Sequence, residues 1–259
     1  MCGTATADVQ SANVVGYTTT PIEAGRYYLV ATQFKDTGNN VDMIGIDKLV
    51  SLSNITPSDF KSAAQGNGIQ IQFLRDSGSG YTTYYYVSDP KDSAGVVQSN
   101  PGWVATSGKL ASLEIGLGTG FWFKTAIATE DSSATFCGEV KSDVSSKDVA
   151  LREGYSLISN PFPVDVVASM LTIDGIVPTT FKDAAQGNGI QLQVLRATGS
   201  GYTTYYYVSD PKDASGVVQS NPGWVATSGK LTTTALAKAG EGFWMKTPSA
   251  GTLKISMGE

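Results

Sequence analysis

The sequence predicts an all-β protein with minor helix, built as two tandem antiparallel β-barrel or β-sandwich units. Three observations predict it. Residues 60–110 return as residues 181–231, 121 positions later, with only seven of 51 paired positions different, Phe73/Val194 and Asp76/Ala197 among them. A duplication on that scale divides the 259 residues into two units of about 120, each large enough to bury a core. Inside the repeat, Ile69-Gln70-Ile71-Gln72-Phe73 alternates apolar with polar, the period of a half-buried strand. Turn formers recur at hairpin spacing, as Gly66-Asn67-Gly68, Ser77-Gly78-Ser79-Gly80 and Asn100-Pro101-Gly102.

Residues 1–13 show no periodicity and read as a tail. Val14-Val15-Gly16-Tyr17-Thr18-Thr19-Thr20 is rich in β-branched residues and stops at Pro21, a first strand. Residues 25–34 are the second, matched by residues 154–162, where Pro161 marks a strand end. Residues 43–52 and 166–176 carry apolar residues at mixed spacing and are expected to supply the helical material, one to three turns each. Residues 69–73 form a strand, and after the glycine-serine turn comes Tyr81-Thr82-Thr83-Tyr84-Tyr85-Tyr86-Val87. Alternation puts Tyr81, Thr83, Tyr85 and Val87 on one face and Thr82, Tyr84 and Tyr86 on the other. Ser88-Asp89-Pro90-Lys91-Asp92 ends it. Gly102-Trp103-Val104-Ala105-Thr106 is a short strand, and Gly118-Thr119-Gly120-Phe121-Trp122-Phe123-Lys124-Thr125 closes the unit, returning as Gly240-Glu241-Gly242-Phe243-Trp244-Met245-Lys246-Thr247 at an offset of 122. An apolar-Gly step recurs at Val15-Gly16-Tyr17, Cys137-Gly138-Glu139 and Met257-Gly258-Glu259. It places the first unit at residues 14–138 and the second at 139–259, with Gly258 in the register of a further unit's start.

Composition removes several functions. The net charge is −5, 16% of residues are charged and no basic cluster occurs, so a phosphate backbone or an anionic membrane surface has nothing to engage. Histidine is absent, which removes the commonest general base and excludes Ser-His-Asp and Cys-His devices. Nothing positions the paired carboxylates of a glycosidase, and two cysteines cannot build a zinc site within one chain. No cofactor motif is present: Gly118-x-Gly120 and Gly240-x-Gly242 precede aromatic strands rather than a helix, so they are tight turns, not phosphate-binding loops. No run of about 18 apolar residues exists to span a bilayer. The sequence is therefore read as that of a non-enzyme with no metal or cofactor.

Three constellations remain. Tyr84, Tyr86, Trp103 and Trp122, with Tyr205, Tyr207, Trp224 and Trp244, are either platforms on which sugar rings stack or the aromatic filling of small β cores and interfaces. Asp89, Asp92, Asp210 and Asp213 sit on oxygen-rich turns of the kind that hold calcium, although their spacing is not that of a calcium loop and solvated turn residues explain them. Cys2 and Cys137 form a disulfide within or between chains in an oxidising compartment, or Cys137 is a small apolar residue inside a strand. Ala5-Thr6-Ala7 suits either the cleavage region of a secretory signal or a bland linker.

The order of Val14-Val15-Gly16-Tyr17, Gly154-Tyr155-Ser156-Leu157-Ile158-Ser159-Asn160-Pro161 and Gly240-Glu241-Gly242-Phe243-Trp244 resembles a group of uncharacterised secreted proteins from Verrucomicrobia, Lentisphaerae and related bacteria. The resemblance covers the chain from Asn13 onward and implies an exported, β-rich protein at the cell surface or outside the cell. It implies no activity and no catalytic residues. Cys137 departs from the group's pattern, which puts weight on a disulfide particular to this chain.

Two functions follow. The leading expectation is a non-catalytic extracellular structural protein that associates with itself head to tail into a filament or surface layer. Its grounds are the tandem blocks, the aromatic residues on two strand faces and the register at Gly258. The alternative is a cell-surface glycan-binding or adhesion protein with two equivalent aromatic sites.

Overall fold

The computed structural model of the chain describes residues 14–37, 42–140 and 145–257. Strand makes up 47% and helix 7%, in small antiparallel sheets, so the protein is all-β. The four larger sheets stand in a propeller-like arrangement, and a two-stranded ribbon completes the set.

Both copies of the repeated stretch build the same sheet. Tyr27–Ala31, Gly120–Thr125, Ile69–Leu74, Tyr81–Val87 and Gly102–Val104 lie side by side in that order. So do Gly154–Ser159, Gly242–Thr247, Ile190–Leu195, Tyr202–Val208 and Gly223–Val225. The register is conventional: Ile71 faces Tyr84 as Leu192 faces Tyr205, and Trp122 faces Leu29 as Trp244 faces Leu157.

The first of these sheets shares an apolar cluster with a four-stranded sheet in which Ser133–Val140 is flanked by Val14–Pro21 and by Phe34–Lys35 and Val50–Ser53. Phe121, Phe123, Ile69, Ile71 and Trp103 there meet Phe34, Ala134 and Phe136. The second shares its cluster with a three-stranded sheet of Ser146–Leu151, Gly251–Ser256 and Leu171–Asp174. The tyrosine strands divide as alternation requires. Tyr84 and Tyr86, like Tyr205 and Tyr207, pack on the large clusters. Tyr85 and Val87 face the other way, where Ala63 and Phe60 cover them.

That cover is helical, and it lies where the sequence reading does not put it. Helix is expected within residues 43–52 and 166–176, and there only Ile46–Leu49 and a 3-10 turn, Ala168–Met170, form between strands. Phe60–Ala64 and Phe181–Ala185 are helices as well. The Asp59 and Thr180 side chains cap them by accepting the Ser62 and Asp183 N–H groups, and five residues are too few for a helical period to register.

The apolar-Gly step has a definite place in the fold. Cys137-Gly138-Glu139 lies inside Ser133–Val140, which runs antiparallel to Val14–Pro21 with Gly138 opposite Gly16. Both glycines make room for Phe34. A Cβ on Gly138 would stand 2.8 Å from Phe34 Cβ, and one on Gly16 3.0 Å from Phe34 Cε1. The boundary expected at 138/139 therefore falls within a strand that ends at Val140. Gly258 and the tail of residues 1–13 lie outside the described residues.

Candidate functional site

Tyr27–Ala31 and Gly154–Ser159 are the facing edges of the two five-stranded sheets. Each is joined to the segment just before the other sheet's Phe-Trp strand. Val30 bridges Glu241 and Ile158 bridges Thr119; the Ala31 N–H donates to the Gly240 carbonyl at 2.9 Å and the Ser159 N–H to the Gly118 carbonyl at 3.0 Å. The two Gly-x-Gly steps serve this junction. Gly118 and Gly240 adopt φ of +86° and +82°, which other residues reach only with strain. Gly120 and Gly242 allow backbones to touch: a Cβ on Gly120 would stand 2.8 Å from the Ile158 carbonyl oxygen, and one on Gly242 3.0 Å from that of Val30. Tight turns alone were the expectation; close approach is the second reason.

Two arginines then cross the junction in opposite directions. Arg26 donates to the Ala197 carbonyl, while Arg152 donates to the carbonyls of Arg75 and Asp76 at 2.7 and 2.8 Å. Each holds the glycine-serine hairpin of the other copy, and so brings Tyr81 and Tyr202, at the hairpin ends, over Trp122 and Trp244. Leu29, Trp122 and Trp244 form a buried cluster with Leu74, Tyr81, Leu157, Leu195 and Tyr202 against it.

Two clefts open on this cluster, and they correspond residue for residue. One, of about 360 Å³, is lined by Leu74, Gly78, Gly80, Tyr81, Tyr155, Gln193, Tyr202 and Trp244. The other, of about 380 Å³, is lined by Leu195, Gly199, Gly201, Tyr202, Tyr27, Gln72, Tyr81 and Trp122. Both fall at the small end of the ~300–1,000 Å³ that ligand sites occupy. Their aromatic walls match as well. Tyr27 meets Trp122 edge to face at 5.9 Å and 86°, and Tyr155 meets Trp244 at 5.9 Å and 89°. Lys124 Nζ stands 4.8 Å from the Tyr27 ring and Lys246 Nζ 5.7 Å from the Tyr155 ring, so each wall ring is braced by a cation. Gln72 donates its amide N–H to Gln70 Oε1, and Gln193 to Gln191 Oε1, each at 3.0 Å. That bond engages an amide N–H of each cleft glutamine, whose side chain also carries a carbonyl oxygen able to accept. Burial pushes the Tyr202 phenol pKa up, with the Trp244 indole pulling against it and Tyr81 and Tyr155 adding to the rise.

The expected platforms divide. Trp122 and Trp244 floor the clefts at 8% exposure. Trp103 and Trp224, 4% and 2% exposed, lie in the two large clusters and offer no face to a sugar. Tyr84, Tyr86, Tyr205 and Tyr207 are partly buried against those same clusters and line neither cleft, though Tyr84 lines a separate groove. Tyr27, Tyr155, Tyr81, Tyr202, Gln72 and Gln193 are cleft residues the sequence reading does not select. Alternation does carry a signal for Tyr81, since it puts that ring on the face opposite Tyr84 and Tyr86.

The aspartates are engaged by backbone N–H groups, two at the starts of the short helices and two within their own loops. Asp89 Oδ1 accepts the Phe60 N–H at 2.6 Å and Asp210 Oδ1 the Phe181 N–H at 2.6 Å. Asp92 and Asp213 each accept a backbone N–H four residues on, at 2.9 Å, and a glutamine amide at 3.1 Å. The Val217 N–H holds the Asp213 carboxyl below its ordinary range. Among the described residues no group of three or more acidic, cysteine or histidine side chains converges. Cys137 is a free thiol whose Sγ–H donates to the Lys48 carbonyl at 3.6 Å; Cys2 lies outside the described residues. Among the described residues no helix is long and apolar enough to cross a membrane.

Comparison of the chain with protein families, with curated proteins and with solved structures finds no match.

Proposed function

We propose that this chain is a non-catalytic glycan-binding protein with two equivalent aromatic clefts. The observation that carries the reading is the residue-for-residue match of the two clefts, each with exposed tyrosine, a tryptophan floor and a glutamine carbonyl. A pyranose ring has an apolar face of axial C–H groups that stacks on an aromatic ring, while its equatorial hydroxyls need acceptors at the rim. Each cleft supplies both. The finer organisation that accompanies this reading is two tandem β-sandwich units, supported by the matching strand orders and the two separate large apolar clusters. Kinship with the secreted bacterial group, and a place outside the cell, belong to the same proposal and rest on the sequence motifs.

A glycan array probed with the purified chain tests it, followed by titration of the best ligand against Tyr27→Ala, Tyr155→Ala and the double variant. Each single variant should lose one of two binding events, with affinity there falling on the order of tenfold. Silence across the array, or binding that survives the double variant, overturns the reading.

A second reading, self-association, is favoured by one feature. Val14–Pro21 pairs on one side only among the described residues, and Val15 and Tyr17 on it are 63% and 77% exposed. Such an edge is a template for strand addition by a second copy. Electron microscopy and sedimentation at high concentration test it: assemblies that Tyr17→Lys abolishes support it, and a strictly monomeric wild-type chain refutes it.

A further inference from the structure

The two clefts match, but the ground just outside them does not. Beyond the Trp122 cleft, and sharing Tyr27 and Leu195 with it as a common wall, lies a groove of about 240 Å³ whose charged lining is Arg26, Arg196, Lys238 and Glu241. Beyond the Trp244 cleft, sharing Leu74, lies a groove of about 580 Å³ whose charged lining is Arg75, Asp76 and Glu114. Arg75 and Arg196 are the same position in the two copies. Three other positions shift the charge toward positive and one shifts it back: Asp76 becomes Ala197, and in the segment offset by 122, Glu114 becomes Leu236 and Gly116 becomes Lys238, while Thr119 becomes Glu241. The first of these is one of only seven differences in the whole repeated block.

The carboxylates near the basic groove are already engaged. Glu241 Oε2 accepts the Lys238 backbone N–H at 2.9 Å, which ties it to its own turn. Glu23 pairs with Arg26 Nη1 at 2.5 Å but is 69% exposed, outside the groove lining. Arg196 and Lys238 are exposed, with no acidic partner among the ion pairs of the described residues. The protein as a whole is acidic, so a polyanion is not drawn to it at long range, and any attraction has to come from contact within a Debye length of about 8 Å.

We propose that the Trp122 cleft and the basic groove beside it form an extended subsite for an acidic saccharide. One ring stacks in the cleft while an oxyanion on a neighbouring sugar, a carboxylate or a sulfate ester, meets Arg196 and Lys238, Arg26 being held by Glu23 and the Ala197 carbonyl. The Trp244 cleft, bordered by Asp76 and Glu114, takes neutral sugar only. This rests on the glycan-binding reading above and assigns different ligands to two sites of identical lining.

The test is calorimetric titration of the full chain with three hexasaccharides of one backbone: a β-1,4-glucan hexamer, the same hexamer oxidised at C6 to glucuronate, and the same hexamer bearing sulfate esters. The neutral hexamer should bind at two sites of similar affinity. One or both acidic hexamers should bind at one site, on the order of tenfold more tightly than the neutral one, and which of them does so identifies the anion. Tyr27→Ala should remove this preference and Tyr155→Ala should leave it. Arg196→Ala combined with Lys238→Ala should reduce the ratio of acidic to neutral affinity by about the same factor, and 0.5 M salt should do likewise. Equal affinity for neutral and acidic hexamers, or a preference lost equally with Tyr27→Ala and Tyr155→Ala, overturns the inference while leaving glycan binding intact. Failure of all three hexamers to bind overturns this inference, while the glycan reading itself falls only with silence across the array.

Discussion

Gly120→Ala tests the junction on which both clefts depend. The added Cβ would stand 2.8 Å from the Ile158 carbonyl oxygen, 3.0 Å from its carbonyl carbon and 3.3 Å from its nitrogen. All three are backbone atoms, so no rotamer change relieves the contact, and the edge Gly154–Ser159 has to withdraw from Gly120 by several tenths of an ångström. Overpacking of that kind costs about 1–3 kcal/mol. The withdrawal also stretches the Ser159 N–H to Gly118 bond, now 3.0 Å, whose loss adds about 1 kcal/mol. The sum is about 2–4 kcal/mol. Gly242→Ala should cost less, because its nearest contacts begin at 3.0 Å and include the Leu29 side chain, which can move. Gly66→Ala is the control: its φ is +91° with nothing within 4 Å, so it measures left-handed backbone strain alone, about 1–2 kcal/mol. Urea midpoints at constant m-value give the ranking. A Gly120→Ala chain no less stable than Gly66→Ala refutes the close-approach argument.

Other expected outcomes follow from single sites. Trp224 Nε1 is buried without a partner, so Trp224→Phe should fall within about 1 kcal/mol of wild type while Trp224→Ala loses about 3–5 kcal/mol; denaturant titration distinguishes them, and equal losses refute the reading. Glu139 and Lys35 pair at 2.8 Å with side chains 8% and 13% exposed, so Glu139→Gln, which removes one charge from this pair, should destabilise by about 1–3 kcal/mol as read from thermal melts. Burial raises the phenol pKa of both Tyr202 and Tyr207 above the ordinary 10.0, so the folded chain keeps these protons longer than the unfolded chain does. Their contribution is complete below pH 10 and is lost as the pH climbs through the folded values; urea midpoints between pH 9 and 12 should fall, less steeply in Tyr202→Phe.

The strand from Tyr81 to Val87 was legible because its period of two needs no partner to be seen, and the same holds for Ile69–Leu74. Residues 25–34 were legible as extended chain but not as two strands. Tyr27–Ala31 and Phe34–Lys35 belong to different sheets, and the crossing at Thr32 and Gln33 is fixed by bonds to distant residues: Thr32 N–H to Ser159 Oγ, and Gln33 Nε2 to the Phe162 carbonyl. Nothing local encodes that turn from one sheet to the next. The pairing of the apolar-Gly steps was illegible for a related reason. Recurrence in sequence does not show that Gly16 and Gly138 face each other across one pair of strands and both lie against Phe34. The clefts were illegible because each is assembled from four separate segments of the chain, and its residues meet only once Arg26 and Arg152 have crossed the junction.

The pattern of change between the two copies bears on whether the clefts matter or are an accident of duplication. Identity within residues 60–110 and 181–231 says little by itself, since a recent duplication leaves everything alike. The flanks have diverged much further, and they are the informative part. Tyr28 is replaced by Ser156 and Phe123 by Met245, both at positions set by the strand register. On the same strands the cleft residues Tyr27 and Tyr155, and Trp122 and Trp244, do not change, nor do Leu29 and Leu157 or Lys124 and Lys246 beside them, nor the core pair Phe121 and Phe243. Core positions tolerate exchange because a change in volume on one side is absorbed by the neighbour it packs against. A cleft wall that did nothing would tolerate it more readily still, being half exposed. Retention of the exposed Tyr27 and Tyr155, where burial does not demand a tyrosine, is what two surfaces kept for a common ligand would show, whereas Trp122 and Trp244, 8% exposed, are also held by the buried cluster. On the proposed reading, Asp76/Ala197 and Gly116/Lys238 are where the two surfaces would differ in what they bind.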